Sequence, residues 1–183
     1  NSEMAQNFTG NAPSFTATIP ANAVIFSQRS SIDQYNGVSY LVTYKITNSS
    51  GQSVDSFKRV IVSIKTASDK NTNPVVNNIL SQGSALASNA FPISGKFTLQ
   101  MDLGTNAAQT YPFKKADESI ENRSEEITTT WFITDGSLKY FRSTNQDTNE
   151  FTAPDSLPST RKSFLFSVSR DSRGGVAVKR ICG

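Results

Sequence analysis

Apolar residues recur at every second position along much of this chain. Val38, Tyr40, Val42, Tyr44 and Ile46 alternate with Ser39, Leu41, Thr43, Lys45 and Thr47, the period of a strand with one apolar face. Residues 48–52 follow as turn chemistry, with Gly51 able to take positive φ. Val60, Val62 and Ile64 then continue a second strand, with Arg59, Ser63 and Lys65 on its other face. The two runs predict an antiparallel hairpin. Phe15, Ala17 and Ile19 predict a shorter strand stopped by Pro20, and Val24-Ile25-Phe26 a further short one. The polar stretch 67–74 ends in Pro74 and reads as a linker.

Val75-Val76 and Ile79-Leu80 open a second region. Phe97, Leu99, Met101 and Leu103 alternate cleanly with Thr98, Gln100 and Asp102. Residues 104–126 show little strand character and read as a long loop with at most one helical turn. Ile127, Thr129, Trp131 and Ile133 predict the next strand. Asp135-Gly136 signals a two-residue hairpin, with Leu138, Tyr140 and Phe141 on the return. Phe151 and Pro154 mark a short strand and its exit. Phe164, Phe166 and Val168 alternate with Ser163, Leu165, Ser167 and Ser169. Gly174-Gly175 makes a turn, and Val176 and Val178 start the final strand. The expected core is Phe97, Leu99, Trp131, Ile133, Phe164, Phe166 and Val168 meeting in one sandwich. Convincing long helices are missing, which disfavours parallel α/β folds. The fold class expected is all-β, with a small β-rich region over 1–70 and a sandwich over 74–183.

Composition agrees with this pattern. Apolar residues make up 36% of the 183 residues and charged ones 18%, with Ser, Thr and Asn filling the gap. That mix suits half-buried strands. The net charge of +3 is spread along the chain without a basic block, so no nucleic-acid partner is expected. No apolar run is long enough to span a membrane. The chain begins at Asn1, as expected of a processed mature form or an excised fragment. With one cysteine, Cys182, no internal disulfide forms within it.

The second half resembles the immunoglobulin-like modules, related in outline to polycystic-kidney-disease domains, of bacterial envelope lipoproteins. Asn73-Pro74-Val75-Val76-Asn77-Asn78-Ile79 looks like the opening strand of such a module. Thr130-Trp131-Phe132-Ile133-Thr134-Asp135-Gly136 is similar to its tryptophan strand and turn, and Phe151-Thr152-Ala153-Pro154 to its short strand. The run from Phe166 to Val176, through Arg170-Asp171-Ser172-Arg173-Gly174-Gly175, resembles its last hairpin. Residues 57–63 look like the closing strand of a preceding module. The 104–126 insertion departs from the pattern. The resemblance implies an immunoglobulin-like β-sandwich in the bacterial cell envelope, either periplasmic and anchored to the outer membrane or surface-exposed. It implies protein partners there, and membrane contact only through a lipid anchor outside these residues. The role implied is a structural or accessory interaction module; an adhesin-like binder of glycan or peptide is the alternative. It implies no catalytic residues.

Candidate sites divide between bland and functional readings. Arg170, Asp171 and Arg173 at the last hairpin are the candidate interaction residues; the alternative has Asp171 capping the turn and pairing with an arginine. Trp131 is in phase with Ile127 and Ile133, so it fills the core rather than stacking on a ligand. Asp117, Glu118, Glu121, Glu125 and Glu126 lack the spacing of a calcium loop and read as a solvated acidic segment. Asn7, Asn48 and Asn122 open Asn-x-Ser/Thr sequons that chance explains in so polar a chain. Cys182, in phase with Val176 and Val178, reads as a buried thiol; intermolecular pairing is its alternative. Histidine is absent. Together with the missing phosphate loop and nucleophile elbow, this argues against an enzyme, a catalytic metal or a cofactor.

Residues 1–70 offer about four strands, around 15–19, 24–26, 38–47 and 57–65. An immunoglobulin-like sandwich uses about seven strands. This region is therefore expected to be completed from outside itself, by the rest of the chain or by a partner.

Overall fold

The computed structural model describes residue 16 and residues 18–183. The expected strand at Phe15 and Ala17 lies outside the described residues, as does Asn7. The chain divides into two units. One comprises residues 1–70 and 113–121, the other 71–112 and 122–183.

The first unit holds two short helices and a long ribbon. Helix α1 is Asn22–Ile25 and α2 is Ser31–Asn36. Val24-Ile25-Phe26, expected as a strand, belongs to this helical turn, which buries Ile25 and Phe26. Three apolar residues in a row suit either period, so tertiary burial decides. Ser30 caps α2 by accepting from the Asp33 N–H at 3.1 Å, an N-cap of ordinary chemistry. Strands β1 (Val38–Thr47) and β2 (Ser53–Val62) pair antiparallel in register from Val38↔Val62 to Thr47↔Ser53: the hairpin is the one the alternation predicts, but β2 begins before the expected 57–65 and ends ahead of Ile64 and Lys65. Asn48 shapes their loop: its Oδ1 accepts from the Ser50 and Gln52 N–H groups at 3.0 and 2.9 Å. A single 3-10 turn, Ala67–Asp69, follows.

The rest of the chain carries β3 (Val76–Ser81), β4 (Ser84–Ala85), β5 (Gly95–Leu103), β6 (Thr110–Lys114), β7 (Ile120–Ser124), β8 (Ile127–Ile133), β9 (Ser137–Leu138), β10 (Arg142–Thr144), β11 (Asn149–Ala153), β12 (Phe164–Asp171) and β13 (Val176–Cys182), all in the second unit except the joined ends of β6 and β7. Five strands form one sheet in the order β4-β3-β5-β11-β9, and four form another in the order β10-β8-β12-β13. Neighbouring strands in both sheets pair antiparallel. One apolar cluster draws on both sheets: Val76, Ile79, Leu99, Met101, Phe151 and Ala153 from the first, Trp131, Leu165 and Ile181 from the second. The fold is all-β and sandwich-like. No helix among the described residues is long and apolar enough to cross a membrane.

Four further expectations need correction. Residues 104–126 contain the hairpin β6–β7, whose end residues 113–121 belong to the first unit. Its strands carry few apolar residues in alternation, so period gave no signal there. Asp135-Gly136 does not make a hairpin between neighbouring strands. It carries the chain out of β8 in one sheet and into β9 in the other, where β9 pairs with β11. Gly136 has φ +87, and a Cβ there would strike the Thr152 carbonyl and the Phe151 ring, so the crossing needs glycine.

The third correction is the phase of β12. Leu165, Ser167, Ser169 and Asp171 face inward, whereas Phe164, Phe166 and Val168 lie half-buried on the opposite face. Trp131 stands directly opposite Ser167, and Ile133 opposite Leu165. The large indole stands beside a small hydroxyl in the layer, and a phenyl ring in the same row would overfill it. Its Nε1 donates to the Ser143 hydroxyl at 2.9 Å. Phe97, Leu99, Trp131 and Ile133 do join the core or pack against it. Finally, Cys182 is half-buried on the outer side of β13, and it is Ile181 that enters the core. Strand β13 follows β12 in register, Phe164↔Cys182 and Leu165↔Ile181, so one inversion entails the other.

Candidate functional site

The β12–β13 turn brings the three candidate residues into different environments. Asp171 points inward. Its Oδ1 accepts from the Arg173 and Gly175 N–H groups, each at 2.8 Å, and the Asn71 amide donates to both oxygens at 3.1 Å. Gly175 is needed beside it, since a Cβ would collide with the carboxylate and approach Pro74 at 3.0 Å. Asp171 therefore closes its own turn and ties it to residue 71.

Arg173 is also committed. Its Nε donates to Glu125 Oε1 at 2.5 Å, one terminal nitrogen donates to Gln109 Oε1 at 3.0 Å, and its guanidinium lies 4.2 Å from the Tyr111 ring centroid. The Glu125 side chain is fully covered and accepts from the Gln109 N–H at 2.9 Å through its other oxygen. Glu125, expected in a solvated acidic segment, is a buried ion partner instead. The other acids are dispersed: Asp117 accepts from Ser119, and Glu118 from Ser31 at 2.8 Å. Their hydrogen bonds, to Ser119 and to Ser31 respectively, hold both carboxyls below their ordinary pKa, with Lys114 adding to the effect at Glu118. No group of three or more His, Cys, Asp or Glu side chains able to hold a metal occurs among the described residues.

Arg170 is exposed on the outer face of the four-stranded sheet. There it lines an open groove of about 510 Å³ with Glu126, Thr128, Thr130, Phe132, Arg142 and Ser172, over Asp171. Pairing explains the assembly. Arg170 is opposite Thr128, Val168 opposite Thr130, and Phe166 opposite Phe132, while Arg142 of β10 is opposite Thr130 on the far side. Phe132 is 50% exposed and Val178, beside Val168, 58%. Phe164 and Phe166 stack with centroids 5.5 Å apart, and Arg180 lies over the Phe164 ring at 5.8 Å. The outer face thus offers aromatic and aliphatic side chains among three arginines and a row of threonine hydroxyls.

Nothing in the sequence marks Thr128, Thr130, Phe132 and Arg142 as the lining of one groove. Thr128, Thr130 and Phe132 are out of phase with Ile127, Thr129, Trp131 and Ile133, which marks them as outward-facing without saying what stands beside them, and Arg142 on β10 carries no such signal. No family model, curated protein or solved structure matches this chain.

Proposed function

We propose that this protein is a non-catalytic structural or accessory interaction module of a bacterial envelope or surface assembly, with an immunoglobulin-like sandwich as its larger unit. Two sheets sharing one core around a mid-strand tryptophan support the immunoglobulin-like reading. The observation that carries the functional reading is the outer face of the four-stranded sheet. Phe132, Phe164, Phe166, Val168 and Val178 form an apolar field across three strands, with Arg142, Arg170 and Arg180 among them. Aromatics and arginine are the residues enriched at protein interfaces, and contiguous exposed apolar surface marks interaction sites.

The test is site-specific photocrosslinking from position 132 in intact cells of the source organism. One discrete adduct in the envelope fraction, lost on Arg170→Glu, is expected. Protein recovered without an adduct, in a soluble fraction, rejects the proposal. The groove also favours a second reading, capture of a glycan or peptide, because Phe132 offers a stacking surface beside threonine hydroxyls and two guanidinium groups. Saturable binding on a glycan array, abolished by Phe132→Ala, would select it.

A further inference from the structure

The β1–β2 ribbon forms a sheet of only two strands among the described residues. Every residue from 53 to 59 of β2 is exposed, with Phe57 at 62% and Val54 at 67%. A ten-residue strand spans about 34 Å, and an open edge of that length is a template for another strand whose charges match its own. We propose that the outer edge of β2 pairs with β2 of a second copy of this chain, antiparallel about a two-fold axis through Phe57.

Backbone direction limits the choice of register. The loop closes with the Asn48 N–H donating to the Gln52 carbonyl at 2.9 Å. Alternation along an antiparallel pair then turns the backbone groups of residues 54, 56, 58, 60 and 62 toward β1. Those of Ser53, Asp55, Phe57, Arg59 and Ile61 face the open edge. Two copies must pair outward-facing residues with outward-facing residues, so the axis passes through a residue and not between two.

Charge selects which one. An axis at Asp55, Lys58 or Arg59 sets like charges directly opposite, which is destabilising. An axis at Ser56 leaves Asp55 facing a phenyl ring. An axis at Phe57 pairs Asp55 with the other copy's Arg59 twice, Phe57 with Phe57, and Val54 with Val60. Asp55 already stands opposite Lys45 in the ribbon, so the row across the joined sheet runs cation, anion, cation. Strand β1 carries one charge, Lys45, and has no such complement. The contact is isologous, and closes as a dimer.

Sedimentation velocity of the full chain over a range of concentrations tests this. Wild type is expected to form a dimer. Asp55→Arg alone, or Arg59→Asp alone, should weaken self-association by about tenfold, and the two together should restore it. Asp55→Arg puts a cation opposite Lys45 in both the single and the double variant, so that effect within one copy cannot account for rescue. Thermal unfolding of each single variant checks that its fold survives. A wild type that stays monomeric to its solubility limit overturns the proposal, as does a dimer indifferent to all three variants.

Discussion

Arg170 and Arg173 sit three positions apart and differ in everything but their side chain. Arg173 is held by Glu125, Gln109 and Tyr111, and removing it leaves a covered carboxylate without its cation. Breaking such a pair typically costs about 3–5 kcal/mol, whereas exposed Arg170→Ala should stay within about 0.5 kcal/mol. Urea unfolding of Arg173→Ala and Arg170→Ala checks the contrast. Asp135 gives a pH signature. Arg161 donates to both its oxygens, at 2.9 and 2.6 Å, and Ser163 adds a third hydrogen bond. The Arg161 bonds first, then the Ser163 hydroxyl, hold the Asp135 carboxyl well below the usual carboxylate range. A carboxyl whose pKa falls on folding stabilises the fold above its unfolded value of about 3.9, and that contribution fades as pH drops through the lower folded value. Asp135→Asn should therefore flatten the loss of stability below about pH 4. Urea midpoints measured across that range decide it, and an unaltered acid limb would count against this role.

At the scale of the element, period identified strands well and their inward face less well. Strand β5 was legible because its apolar and polar sets differ sharply in size and chemistry; β8 has threonines on both faces and Phe132 outward, and its inward face was carried by Ile127, Trp131 and Ile133. Strand β12 offers apolar residues on both faces, Leu165 on one and Phe164, Phe166 and Val168 on the other, and the bulkier set faces out. What decides is Trp131 on the neighbouring strand, a long-range fact that period cannot contain. The phase makes a prediction. Leu165, at 0% exposure, should cost about 2–5 kcal/mol when cut to Ala. Half-buried Phe166 should cost less, about 1–2 kcal/mol, in proportion to the area it hides. Equal losses by denaturant melts would mean the face is assigned wrongly.

At the scale of the molecule, the first unit takes in a piece of sequence from the middle of the second. Asn36 donates to the Lys114 carbonyl at 2.7 Å and accepts from the Lys114 N–H at 2.8 Å, so the β6–β7 end supplies part of what residues 1–70 were expected to need. That exchange was invisible in sequence, because residues 104–126 carry no strand period and the two segments lie 78 positions apart. The groove was equally hidden: β8 lies between β10 and β12, so its neighbours come from two distant stretches. Replacing 113–121 by a short turn is expected to speed amide exchange in α2 and β1, while leaving β5 and β12 protected. Exchange followed by mass spectrometry reads both regions at once.

The crossing at Asp135-Gly136 also bears on how fast this chain can fold. Because β8 is not zipped to the strand that follows it, its long partner β12 must return from more than thirty residues away. Closing a loop of that size is slow to be rewarded, and chains dominated by such non-local pairings fold in roughly milliseconds to seconds. The tryptophan on β8 reaches its final surroundings only when that distant strand has arrived, so its fluorescence should follow the last step of assembly and not the first.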